Sequence, residues 1–246
     1  MTELAWLERD APVDSFPAAH LALREPDGLL AAGGDLSSDR LVHAYQHGIF
    51  PWFEQGQPVL WWTPNPRCVL HCNEFHRSRS LRRTLRRQHW TVSFDRAFGD
   101  VVDGCAEARE GRRRTWITPT MRSAYLTLND QGFGRSVEVW DDQALIGGVY
   151  GVGIGRMFFG ESMFSRRTDA SKVALFALCQ QLQARDMPML DCQVRSPHLT
   201  SLGAKLIPRD AFLKAIAELC PAKEPAAAFD TDRIPVLNYA KSSAYR

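Results

Sequence analysis

Between Gly147 and Gly155 the chain reads Gly-Gly-Val-Tyr-Gly-Val-Gly-Ile-Gly, an apolar run with five glycines in nine positions. Its β-branched and aromatic residues favour a strand. Glycine weakens a strand and marks a bulge, or a close approach by another backbone or a ligand. The run therefore belongs in a sheet with something packed tightly against it. Phe158-Phe159-Gly160-Glu161-Ser162-Met163-Phe164-Ser165 follows as a second strand. Next come a helix from about Asp169 to Ala184 and a strand over Met189-Leu190-Asp191-Cys192-Gln193-Val194. Glu161 stands on an apolar, glycine-rich wall, where an unpaired carboxylate is expensive. It is either a solvated Glu on a sheet edge or a group that does chemistry, and spacing leaves both readings open.

The rest of the chain supplies an α+β setting. Ser37 or Ser38 can cap a short helix through Arg40–Tyr45 that Gly48 ends. Trp52, Trp61 and Trp62 fall close together among prolines. They make either a small aromatic core or a stacking platform for a base. Pro64 and Pro66 suggest a boundary between a small N-terminal domain, residues 1–65, and a larger one, residues 66–246. The tail from about residue 221 is rich in alanine, proline and charge, and is expected to be loosely attached. Residues 67–72 and 90–94 read as strands, 98–108 and 119–128 as helices. Residues 136–140 and 145–151 read as a hairpin turned at Asp141-Asp142. Residues 197–220 hold two more short elements. This order is compatible with an acetyltransferase-like sheet, in which the helix after the central strands aims its N-terminus at a phosphate-bearing donor. Thr168 or Asp169 would cap that helix. Lys172 opposes the helix dipole there, which suits an anionic ligand.

The net charge is only +2, so any nucleic-acid contact must come from local clustering. Arg77, Arg79, Arg82, Arg83, Arg86 and Arg87 form such a cluster, with no acid among them. Leu81 and Leu85 provide one narrow apolar face for that helix. A solvated face mixes signs, so an all-basic one favours phosphate. Arg109, Arg112, Arg113 and Arg114 form a second cluster. No apolar run is long enough to span a bilayer, and the N-terminus lacks a signal-type apolar stretch. The six cysteines lack a zinc-like spacing and read as reduced thiols of a cytoplasmic protein. Cys192, with Asp191 and His198, could also be read as a thiol nucleophile. Adjacent strand residues face opposite ways, which turns Cys192 from Asp191 and Gln193.

Several longer motifs stand in order: Gly-Ile-Phe-Pro-Trp (48–52), Leu-Trp-Trp-Thr-Pro (60–64), Thr-Trp-Ile-Thr (115–118), Ser-Val-Glu-Val-Trp (136–140), Gly-Glu-Ser-Met-Phe-Ser (160–165), Ala-Ser-Lys (170–172), Asp-Cys-Gln (191–193) and Ser-Leu-Gly-Ala (201–204). On these the chain resembles the bacterial leucyl/phenylalanyl-tRNA–protein transferases. The resemblance covers about residues 16 to 215. It implies an acyltransferase of the N-degron pathway that moves Leu or Phe, sometimes Met, from aminoacyl-tRNA to proteins with N-terminal Arg or Lys. It implies an acetyltransferase-like C-terminal domain behind a small N-terminal one, with no metal, coenzyme or membrane.

Carried over residue by residue, Glu161 and Gln193 match the groups nearest the reacting ester and amine. Asp191 matches an acid acting through Gln193. Trp52 and Trp116 match the holders of the terminal adenosine. Phe158, Met163, Leu175, Leu178, Leu182 and Leu190 match the lining of the aminoacyl pocket. The helix bearing Arg79, Arg82, Arg83, Arg86 and Arg87 matches the surface for the tRNA acceptor stem. The chain departs from the pattern at Asn129, Phe133 and Arg135, where the family usually carries histidines. Leu178 and Leu182 stand where some relatives have aromatics. Two other function classes compete. An acetyl-CoA-dependent acetyltransferase would bind coenzyme A. A non-catalytic RNA-binding module would leave Glu161 and its glycine-rich wall without a purpose.

Overall fold

The computed structural model describes residues 4–107 and 115–240. Arg109, Arg112, Arg113 and Arg114 lie outside the described residues. Two sheets divide the chain. The smaller takes β1 (Ala5–Leu7), β2 (Leu29–Gly33), β3 (Phe50–Pro51) and β4 (Leu60–Trp62) in the order β1-β2-β4-β3. Helix α1 (Ser38–Gln46) joins β2 to β3. The Ser37 hydroxyl accepts from the Arg40 N–H at its start, and Gly48 takes a φ of 71° just beyond its end. The first residues are tied down as well. Buried Arg40 donates to the carbonyls of Ala11 (2.6 Å) and Pro12 (3.2 Å).

The larger sheet uses β5 (Arg67–His71), β6 (Thr91–Phe94), β7 (Gly134–Asp141), β8 (Ala144–Ile154), β9 (Met157–Ser165), β10 (Met189–Gln193), β11 (Lys205–Ile207) and β12 (Ile234–Pro235). Their order is β11-β5-β10-β9-β8-β7-β6-β12. The helices are α2 (Arg79–Arg87), α3 (Phe98–Ala106), α4 (Pro119–Asp130), α5 (Ala170–Ala184), α6 (Pro197–Ser201), α7 (Arg209–Leu219) and α8 (Val236–Ala240). Residues 197–220 thus hold three elements, α6, β11 and α7, rather than two. One face of the sheet packs Tyr150, Val152, Phe159 and Phe164 with α1, α3 and α4. The other packs Val149, Phe158 and Leu190 with α2 and α5.

The glycine run is β8, fourth from one end of the eight strands, with β9 beside it. Strand β9 is thus an interior strand, although its pairing with β10 stops at Phe159. The glycines admit close neighbours: a Cβ on Gly147 would lie 2.6 Å from the Ala170 Cβ of α5, and one on Gly151 would lie 2.2 Å from the Phe159 carbonyl oxygen. Bare backbone on β8 lets α5 and β9 approach to these distances.

The tail is not loose over its described part. Ala226, Phe229, Val236 and Tyr239 are buried, β12 pairs with β6, and α8 packs on α2. Pro225 bridges to Ile154, and the Ala226 carbonyl accepts from Arg135. Apolar residues spaced among the alanines and charges make these contacts, so bulk composition misleads there.

Candidate active site

Strands β9 and β10 run parallel, joined through α5, and pair as Met157–Met189, Phe158–Leu190 and Phe159–Asp191. Both become irregular just beyond the last pair. On β9, Gly160 sits opposite Gly151 and Ser162 opposite Tyr150, so Glu161 is an extra, unpaired residue. A bulge of this kind re-aims side chains and is common beside active sites. Its effect is visible in the alternation. Phe158 and Met163 pack on the α5 face, Phe159 and Phe164 on the opposite one. Glu161 is turned toward the second face, among phenols.

Tyr45 of α1 donates to Glu161 Oε1 at 2.8 Å, and Tyr125 of α4 donates to Oε2 at 2.5 Å. The two hydroxyls lie 3.1 Å apart. Gln193 Nε2 donates to Oε1 at 2.7 Å. The site thus draws on β9 and β10 of the larger sheet and on helices α1 and α4. Burial pushes the Glu161 carboxyl up to about 7, and the charge of Asp191 adds to the rise. The bonds from Tyr125, Tyr45 and Gln193 oppose it. The carboxyl is therefore poised between acid and base near neutral pH.

Gln193 owes its position to a buried ion pair. Arg67, which opens β5, gives Nε and Nη2 to the two oxygens of Asp191 at 2.8 and 2.6 Å. Its Nη1 donates to the Gly48 carbonyl, and its guanidinium lies between the rings of Phe50 and Phe212. Asp191 Oδ1 also accepts the Gln193 backbone N–H at 2.9 Å. Gln193 adopts a φ of 60°, and β10 shifts register against β5 at this point. Asp191 thus meets the backbone of Gln193, and both its oxygens face Arg67.

Trp52 and Trp116 line one cleft of about 910 Å³, together with Trp62, Leu60, Ile117 and Glu54. Trp52 is 45% exposed, whereas Trp61 is fully buried and donates to the Gly33 carbonyl. The tryptophans therefore divide between core and cleft. Trp116 packs edge-on against Tyr125, which links the cleft wall to Glu161.

The six residues matched to the aminoacyl pocket sit together on the α5 face. Phe158, Leu175, Leu178, Leu182 and Leu190 are buried in one cluster, and half-buried Met163 packs on it. Arg79, Arg82, Arg83, Arg86 and Arg87 are all exposed on α2, above buried Leu81 and Leu85. None has a carboxylate partner among the described residues. Lys172 differs from its expectation. Its ammonium is met by Asp169 at 2.6 Å, and Asp169 also accepts from Thr84 of α2. Asp169 stands at the cap position with a φ of 69° and does not cap the helix. Half-buried Cys192 packs on the α5-face cluster. Its contact with Cys68 and its burial push its thiol well up. Asp191 is already engaged by Arg67, so a Cys–His–Asp arrangement is not formed.

Asn129 donates to the Gly134 carbonyl, Phe133 is core, and Arg135 pairs with Asp95. None of these three touches Glu161. Sequence reasoning missed Tyr45, Tyr125 and Arg67. A buried phenol needs a hydrogen-bond partner, and inward-facing Tyr125 was a signal for one. Arg67 and Asp191, single opposite charges in two apolar strands, were a signal for pairing.

Two family models match the chain. Residues 69–217 match the leucyl/phenylalanyl-tRNA protein transferase family, and residues 34–65 match its N-terminal domain. Curated relatives with the name leucyl/phenylalanyl-tRNA–protein transferase include one from Stutzerimonas stutzeri, 52% identical over 87% of this chain and 94% of its own length. Another, from Shewanella denitrificans, is 47% identical over 95% and 98%. Among solved structures, a GCN5-related N-acetyltransferase from Kribbella flavida is similar at 12% identity and a TM-score of 0.35, over 67% of this chain and 58% of that one. A ribosomal-protein-alanine N-acetyltransferase from Brucella melitensis biovar Abortus is similar at 13% identity and a TM-score of 0.32, over 58% and 99%. The chain belongs to the leucyl/phenylalanyl-tRNA–protein transferase family, aminoacyltransferases that act with aminoacyl-tRNA on proteins.

Proposed function

We propose that Glu161 accepts the proton of the acceptor's α-ammonium, and that the freed amine attacks the ester carbonyl of Leu- or Phe-tRNA. The observation that carries this reading is a carboxylate raised to about 7, held by Tyr45, Tyr125 and Gln193 beside an aromatic cleft. The ester is already activated, so positioning the amine supplies much of the acceleration. The amine loses its proton to Glu161, the C–N bond forms, and the ribose oxygen departs with a proton. Gln193 orients Glu161 and steadies the ester oxygen with its amide. Asp191 is a positioning residue, which with Arg67 fixes the backbone of Gln193.

The terminal adenosine stacks in the cleft of Trp52 and Trp116. The aminoacyl side chain passes where β9 and β10 cease to pair, and meets Met163, Phe158, Leu175, Leu178, Leu182 and Leu190. The α2 arginines take the acceptor-stem phosphates. The acceptor carries N-terminal Arg or Lys. The chain divides functionally at about residue 65, and the reaction takes place in the cytoplasm, where its donor is made. The test is transfer of labelled Leu and Phe from tRNA to peptides beginning with Arg, Lys or Ala. Arg and Lys peptides should be labelled and Ala peptides should not. Glu161→Gln should lower turnover about 10²-fold or more, with tRNA affinity unchanged. Full turnover in that variant would sink the mechanism.

A further inference from the structure

Tyr150 of β8 is fully buried, yet its hydroxyl has no hydrogen-bond partner among the described residues. Its ring is held edge-on by Tyr125, with centroids 5.2 Å apart, and by Phe98 at 5.8 Å. A phenylalanine would make these ring contacts without burying a polar atom, so packing alone does not call for the hydroxyl. The register places Tyr150 opposite Ser162, the residue directly after the Glu161 bulge. The hydroxyl lies within the electrostatic reach of Glu161 and of Cys105 on α3. Tyr45 and Tyr125, the other two phenols of this cluster, both donate to Glu161.

We propose that Tyr150 is a further positioning residue for the transfer: its hydroxyl and the Glu161 carboxylate share one buried water, through which Tyr150 acts as an indirect donor to the carboxylate. A buried water is stable where it has two or more polar partners, and these two groups supply them. The proposal rests on Glu161 being the base of the reaction. The groups facing Glu161 are Tyr45 from α1, Tyr125 from α4, Gln193 and Asp191 from β10, and Tyr150 from β8. Arg67 of β5 acts behind Asp191, and Cys105 of α3 acts electrostatically on Tyr150. Of the three phenols, Tyr45 and Tyr125 touch the carboxylate directly and Tyr150 does not. A water-borne donor favours the ionised form of Glu161, so its removal moves the titration upward.

The test is Tyr150→Phe, which deletes one oxygen and keeps the ring. Two readings are taken on the full chain: the midpoint of the Glu161 carboxyl by carbon NMR, and the acid limb of kcat/KM with aminoacyl-tRNA. The midpoint is expected to rise by roughly half a unit, a threefold change in the proton equilibrium. The acid limb should follow it. Turnover well above the limb should stay within about twofold, and the melting temperature should not fall. An unmoved midpoint in the folded variant overturns the proposal and leaves the role of Glu161 standing. If the midpoint rises but the acid limb does not follow, Glu161 is not the base, and the function proposed for it fails instead.

Discussion

Glu161 joins the chemistry to the energetics at the scale of single residues. Its folded value, about 7, lies above the ordinary 4.5. Its contribution to stability is therefore fully present below about pH 4.5 and is lost as pH rises through about 7. Glu161→Gln removes that loss. The stability of the variant relative to wild type should improve between pH 4 and pH 8 by at most about 3 kcal/mol. Paired thermal melts at the two values check this, and a pH-independent difference would contradict the raised value. Activity should run the opposite way and increase through pH 7 as the base ionises. The Arg67–Asp191 pair makes a second case. Asp191→Asn leaves a buried guanidinium without its counter-charge, at a cost of about 3–5 kcal/mol. Combining Asp191→Asn with Arg67→Met should recover much of that stability without fully restoring turnover, because the amide oxygen left at position 191 can still accept the Gln193 N–H but is no longer fixed by the guanidinium. A double-mutant cycle by denaturant unfolding, with transfer rates alongside, checks both halves.

At the scale of elements, α2 and α5 are neighbours with different tasks. Helix α5 is wedged against bare backbone on β8 and holds β9 and β10 in parallel register. Helix α2 has two buried leucines beneath and five exposed arginines above. Two leucines anchor a short helix weakly, and Thr84–Asp169 and the packing of α8 add to the hold. Replacing Arg82, Arg83 and Arg86 together by Gln should raise the KM for aminoacyl-tRNA. It should also flatten the salt dependence of log KM by about 0.7–0.9 per lost phosphate contact. A short aminoacyl-adenosine donor should barely notice the change. Equal losses with both donors would mean that α2 supports the fold rather than the tRNA.

Over the whole molecule, the tail turns from an appendage into a strap. Its described part crosses from β8 past Arg135, covers the β6 edge through β12, and reaches α8, which packs on the arginine helix. An exposed strand edge is a template for aggregation, and the strap covers this one. Truncation after Cys220 removes buried Phe229 and Val236, worth ~3–6 kcal/mol on area grounds. The truncated chain should melt several degrees lower and aggregate sooner, with lower affinity for tRNA. Calorimetry and light scattering would reveal a dispensable tail as two unchanged readings.

Local chemistry carried a good deal of this protein in its sequence. Glycine spacing marked β8, and apolar period marked α5 and α4. Clustered arginines marked α2, and an isolated carboxylate on an apolar wall marked Glu161. Each is a property of neighbours along the chain, where propensity, charge and periodicity act. Tertiary structure decided the rest. Tyr45, Tyr125 and Gln193 meet at Glu161 from positions 116, 36 and 32 residues away. Arg67 reaches Asp191 across 124 residues. Two bulges, at Glu161 and before Gln193, turn both side chains out of their strand alternation. A bulge is set by what packs on either face of a strand, and partners for a buried charge are set by which strands come to lie side by side. Neither is written in the immediate neighbours of Glu161, so the sequence could mark the carboxylate while only the folded chain supplies the phenols, the amide and the ion pair gathered around it.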